Sequence, residues 1–198
     1  KHGHAVDGSD AAYQDLWTIT MAGFTGGAGM TNYYNAQGLD ADGVTPNPSH
    51  RRLLDVTSLA DYMLVHYFAG ELDGMAGNWG LNNYICGINR ENPDGFKYFK
   101  YDSEWSLDVG FANNVSRTDS GTSFSGFNAL IMHGKLLLND EYLLTFGDQI
   151  HKHFFNDGIM TPSNALAIFT KRTDEIDAAI VAESARWGDS KTPEDPKT

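Results

Sequence analysis

Two apolar segments, Gly80-Leu81-Asn82-Asn83-Tyr84-Ile85 and Phe96-Lys97-Tyr98-Phe99-Lys100-Tyr101-Asp102-Ser103-Glu104-Trp105-Ser106-Leu107, are joined by a stretch, 89–95, that ends in Asn-Pro-Asp-Gly. Apolar runs bounded by such turn residues predict a β-hairpin. Asn82 and Asn83 stand where the first strand begins, and Asp102 and Glu104 where the second ends. A hairpin brings these ends together, and clustered carboxamide and carboxylate oxygens are what a hard divalent cation such as Mg²⁺ takes as ligands beside phosphates. Asp102 and Glu104 are two apart, which in an extended strand points both to one face. The same residues also read as solvated strand-end groups, and the residues alone leave both readings open.

The rest of the chain reads as mostly helical. Ser9 can cap a short helix over 10–22, with Leu16, Trp17 and Ile19 on its apolar side. A Gly-, Asn- and Pro-rich excursion over 23–52 reads as a long loop. Asp55 is placed to cap a helix over 56–69, in which Leu59, Tyr62, Met63, His66 and Tyr67 recur at helical spacing, and Gly70 stops it. Asp73 follows in a loop beside that helix, where a scaffold can hold a reactive side chain. Further helices are predicted over 127–138, 140–155 and 162–187, the last with Thr161 as N-cap and Pro162 at the first helical position. Its stripe of Leu166, Phe169, Ile176, Ala179, Ile180 and Ser184 is expected to be buried, with Trp187 packed beneath it.

Composition narrows the function classes. With 198 residues and 41% hydrophobic content, the chain suffices for one domain or one large lobe of a larger protein. A net charge of −12 disfavours nucleic acid, whose phosphates call for clustered Lys and Arg, and it suits a basic protein partner or simple solubility. No run is long and apolar enough for a membrane span. The single cysteine, Cys86, rules out an internal disulfide and reads as a buried thiol. The start at Lys1, followed by His-Gly-His, reads as the beginning of a C-terminal portion. No Gly-x-Ser-x-Gly elbow supports a serine hydrolase, and Asp40-Ala41-Asp42-Gly43 lacks the acidic residue that would close an EF-hand loop. His151 and His153 are two apart on a predicted helix, so they diverge and do not suit one metal.

Segments in order along the chain resemble the CotH family, the spore-coat kinase-like proteins and their bacterial secreted relatives. They are 55–64 (Asp-Val-Thr-Ser-Leu-Ala-Asp-Tyr-Met-Leu), 70–74 (Gly-Glu-Leu-Asp-Gly), Asn82-Asn83-Tyr84, 98–102 (Tyr-Phe-Lys-Tyr-Asp), 151–158 (His-Lys-His-Phe-Phe-Asn-Asp-Gly) and 182–189 (Ala-Glu-Ser-Ala-Arg-Trp-Gly-Asp). The resemblance implies an α+β fold: the mostly helical C-terminal lobe of an atypical protein-kinase-like fold, with a short β-hairpin at the active site. The lobe would span 1–190, with a disordered tail over 191–198 and the nucleotide-gripping part of the same domain upstream. It further implies transfer of phosphate from ATP to Ser or Thr of a protein substrate or coat protein, with Mg²⁺, in an extracellular, cell-surface or spore-coat setting. In that template Asp73 is the catalytic residue that orients the acceptor. Asn83 and Asp102 bind the metal–nucleotide cofactor, and Asn82 and Glu104 join them as metal ligands. Asp73 lies farther from Asn83 than in the family pattern, where the amide Asn78 would stand. No Gly-rich phosphate loop with a strand lysine is found in the chain. The alternative is a non-catalytic secreted or surface binding module that keeps the fold.

Overall fold

The computed structural model describes residues 5–71, 73–74, 83–107 and 121–187. Among these the chain is α+β, with α1 (Ala11–Ala22), α2 (Gly26–Ala36), α3 (Val56–Ala69), β1 (Tyr84–Gly87), β2 (Lys97–Lys100), α4 (Ala129–Leu136), α5 (Asp140–Phe154) and α6 (Pro162–Trp187). Chain contacts divide it into two compact units, 1–150 and 151–198. No helix among the described residues is long and apolar enough to cross a membrane.

The first unit is organised around α3. Asp55 caps it, its side chain accepting from the Ser58 N–H at 3.0 Å, and Gly70 ends it in the left-handed conformation at φ 58°. Leu59, Tyr62, Met63 and His66 are buried, as the periodicity predicts. Leu59, Tyr62 and Met63 pack with Leu16 of α1, Leu54, and Met132 and Leu136 of α4. Asn128 caps α4 by accepting from the Ile131 N–H.

The expected loop over 23–52 is in part a helix. α2 forms despite its glycines because tertiary packing outweighs propensity. Gly29 and Ala36 are buried, and a Cβ at Gly29 would lie 2.6 Å from the Phe24 carbonyl carbon. Only glycine lets the helix approach that backbone. The N-cap of α1 is Asp10 rather than Ser9, and its side chain makes no capping bond.

The hairpin is present but shorter than the apolar runs suggest. β1 pairs antiparallel with β2 in the register Tyr84↔Lys100, Ile85↔Phe99, Cys86↔Tyr98 and Gly87↔Lys97. Ile85 and Phe99 face out, half exposed, whereas Tyr98 is buried. Asn83 and Asp102, at φ 56° and 54°, step out of the extended conformation at the two ends, so the ladder stops there. Side-chain alternation therefore does not carry from Asp102 to Glu104, which corrects the shared-face expectation. Burial pushes the Cys86 thiol up to about 11, in keeping with a structural thiol.

In the second unit, α6 takes the predicted bounds, but none of its residues is buried. Leu166, Phe169, Ile176 and Ile180 are at least half exposed, as is Trp187. A periodic apolar stripe states which side of a helix is apolar, not that anything covers it. The Thr161 hydroxyl donates back to the Gly158 carbonyl. Arg186 stacks over the Trp187 ring at 4.9 Å. Trp187→Ala is accordingly expected to lower Tm by less than about 2 °C, since exposed substitutions of this kind stay within roughly 0.5 kcal/mol. A thermal melt checks this against the roughly 3 kcal/mol loss of a buried aromatic.

Candidate functional site

Three segments deliver polar groups to one end of the hairpin. The left-handed Gly70 turns the chain out of α3, and Glu71 then points back into the protein with Asp73 following it. Asn83 sits just before β1 and Asp102 just after β2. The Asn83 Nδ2 lies 3.4 Å from Asp73 Oδ2 and 3.5 Å from the Asp73 carbonyl, and it donates to the Asp102 carbonyl at 3.0 Å. Asn83 is thus the hub, touching the 73 loop on one side and the end of β2 on the other. Beyond Asp102 the chain is tied back to the end of α3, where the Leu107 N–H donates to the Ala69 carbonyl at 2.7 Å.

Among the described residues, Asn83 and Asp102 are two of the four non-glycine residues with positive φ. Asn and Asp adopt that conformation more readily than other side chains, so the strain is modest. Its consequence is geometric: it turns both residues away from the ladder and toward each other.

The donor set is made of oxygens: the Asp73 carboxylate, the Asn83 carboxamide, and the Asp102 carbonyl with its exposed carboxylate. That set fits a hard divalent cation. In the structure the carboxamide presents nitrogen to these oxygens, so ligation requires it to turn by half a rotation. Glu104 stands in the turn that follows, exposed to solvent. Asn82 lies outside the described residues, as do Asn78 and the rest of 75–82. No group of three or more His, Cys, Asp or Glu side chains gathers as a metal site among the described residues.

Behind the hub lies a polar cluster that the sequence did not signal. Lys100, on the same inward face of β2 as Tyr98, meets the Glu71 carboxylate. Glu71 is fully buried and Lys100 only 13% exposed. His66 Nδ1 lies 3.2 Å from Glu71 Oε2. Burial, aided by the Lys100 charge, pulls His66 down to about 3, so it is a neutral neighbour rather than an ion-pair partner. Burial likewise lowers the Lys100 ammonium to about 8. Gly74 closes over this cluster, and a Cβ there would lie 2.2 Å from Glu71 Oε2 and 2.7 Å from His66 Nδ1. A lysine at a strand end and a glutamate after a helix stop each read as solvated charges, and nothing local reveals a pairing across that chain separation.

On the side of β2 toward α3, a groove of about 400 Å³ is lined by Asp55, Ser58, Asp61, Tyr62, Tyr98 and Lys100. At its edge Lys97 bridges Asp55 and Asp94, latching β2 to the start of α3.

His151 stacks on Phe155 with ring centroids 5.5 Å apart. Compared with known protein families, curated proteins and solved structures, the chain matches none.

Proposed function

We propose that this chain is the catalytic lobe of a CotH-like atypical protein kinase, with its metal–nucleotide site at Asp73, Asn83 and Asp102. The observation that carries the reading is the meeting of these residues. They lie on a loop, before one strand and after another, and they are the residues that the kinase-like template makes its catalytic and metal-binding groups. Phosphoryl transfer asks a protein mainly for positioning and for charge neutralisation, and little covalent chemistry. The cluster offers oxygens for both tasks.

In this reading the Asp73 carboxylate accepts the proton of a Ser or Thr hydroxyl. The hydroxyl oxygen bonds to the γ-phosphorus of ATP as the bond to the bridging oxygen breaks, and ADP leaves with that electron pair. Asn83 and Asp102 would hold Mg²⁺, which supplies charge neutralisation at the phosphate oxygens. The longer spacing between Asp73 and Asn83 is compatible with this reading, since Asn83 Nδ2 lies 3.4 Å from Asp73 Oδ2. The net charge of −12 favours encounter with a basic protein substrate.

The test is transfer of label from γ-labelled ATP to a basic Ser/Thr-containing protein, with Mg²⁺ or Mn²⁺, by the protein carrying its full domain. Metal-dependent labelling that disappears in Asp73→Asn is expected. Metal binding without transfer would favour the non-catalytic module, and the absence of both would remove the reading.

A further inference from the structure

We propose that the buried Lys100–Glu71 pair is a positioning brace for the proposed metal site, fixing the separation between the loop that carries Asp73 and the strand end that carries Asp102. The inference rests on the functional reading above for what the brace serves, and on geometry alone for its existence. Glu71 stands two residues before Asp73, and Lys100 two residues before Asp102. The two segments are therefore clamped directly behind the place where their next residues meet Asn83.

Several features argue that the clamp is built for geometry rather than for stability. A buried ion pair gains little over an apolar pair of the same volume, because desolvation offsets its attraction. This one is left incompletely satisfied: Glu71 Oε1 and the Nε2 of its neighbour His66 are buried with no hydrogen-bond partner among the described residues. Buried polar atoms are ordinarily paired, and unpaired ones concentrate where a protein maintains a functional arrangement against its own stability. The loop is also pressed on the pair from above, since Gly74 leaves no room for a side chain over Glu71 and His66. The position of Asp73 thus follows that of the Glu71 carboxylate, which follows Lys100. Each brace residue is joined to its ligand by two steps of backbone, so the clamp acts as a positioning device.

The experiment uses the full chain with Mn²⁺ as probe and reads two quantities. One is Mn²⁺ affinity by electron paramagnetic resonance. The other is the side-chain NH₂ resonance of Asn83, assigned by its loss in Asn83→Asp. Lys100→Met is expected to weaken Mn²⁺ binding at least tenfold and to move the Asn83 NH₂ signal toward its random-coil position, while cooperative unfolding is retained. Lys100→Arg, which keeps the cation, is expected to stay within threefold of wild type. If Lys100→Met does not fold, the isosteric Glu71→Gln takes its place with the same expectations. An unmoved Asn83 signal with unchanged affinity would overturn the brace and leave the metal reading standing. If wild type fails to bind Mn²⁺, the metal reading falls, and the Asn83 signal alone decides whether Lys100 positions the loop.

Discussion

Asp102→Asn is expected to weaken divalent-metal binding and metal-dependent phosphoryl transfer by at least about 100-fold while leaving Tm within about 2 °C of wild type. The separation of the two effects follows from where Asp102 sits. Its backbone is left-handed at φ 54°, a conformation Asn tolerates as well as Asp does. Its carbonyl, not its side chain, accepts the Asn83 amide, so that bond survives the substitution. Its side chain is exposed, so no core contact is lost. The variant removes one negative charge and one anionic oxygen from the donor set and nothing else. Metal titration and thermal melts of the purified variant read the two effects independently. A matched fall in stability would mean that Asp102 holds the fold and not a cation.

Acidification is expected to destabilise the protein well before its carboxylates protonate. His66 and His133 are both buried, and burial lowers them from 6.5 to about 3 and about 4. His133 is further engaged with the Tyr142 hydroxyl at 2.8 Å. Both imidazoles are neutral in the folded protein at neutral pH. Once unfolded, each regains its ordinary affinity and takes up a proton below 6.5. The stability they contribute is therefore complete above pH 6.5 and drains away as pH falls toward their folded values. By pH 4 the loss is on the order of 3 kcal/mol for each group. Urea unfolding at intervals from pH 7 to pH 4 measures it, and His133→Gln should flatten the slope between pH 6.5 and 5. A stability independent of pH over that interval would show that these histidines titrate normally.

Local signals carried much of this architecture. Asp55 and Gly70 bound α3 because a capping carboxylate and a left-handed glycine act within one turn of the chain. The hairpin, its Asn-Pro-Asp-Gly turn and the bounds of α6 were legible for the same reason. The missed features depend on distant partners. α2 is a helix because Gly29 fits against Phe24, a contact no propensity scale contains. The strands stop early because Asn83 and Asp102 turn left-handed to meet each other. Burial of the α6 stripe was inferred from periodicity, which is silent on whether a covering surface exists.

The candidate site divides along the same line. Asp73, Asn83 and Asp102 were recognisable as oxygen-bearing residues at the ends of predicted elements, and the structure brings them together. The Lys100–Glu71 pair was not, since a charge at a strand end is ordinarily solvated and only the folded loop shows it buried. Glu104, assigned with Asp102 by strand alternation, follows a residue where the strand has already ended.

In the proposed function Asp73, Asn83 and Asp102 form one divalent-cation site. Substoichiometric Mn²⁺ added to the ¹⁵N-labelled protein tests it most directly, because paramagnetic broadening falls off steeply with distance from the bound ion. The expected result is selective loss of the Asp73, Asn83 and Asp102 signals at low Mn²⁺, reversed by excess Mg²⁺, with the buried residues of α1 and α4 untouched. Broadening spread evenly over the acidic surface, or none at millimolar Mn²⁺, would contradict it.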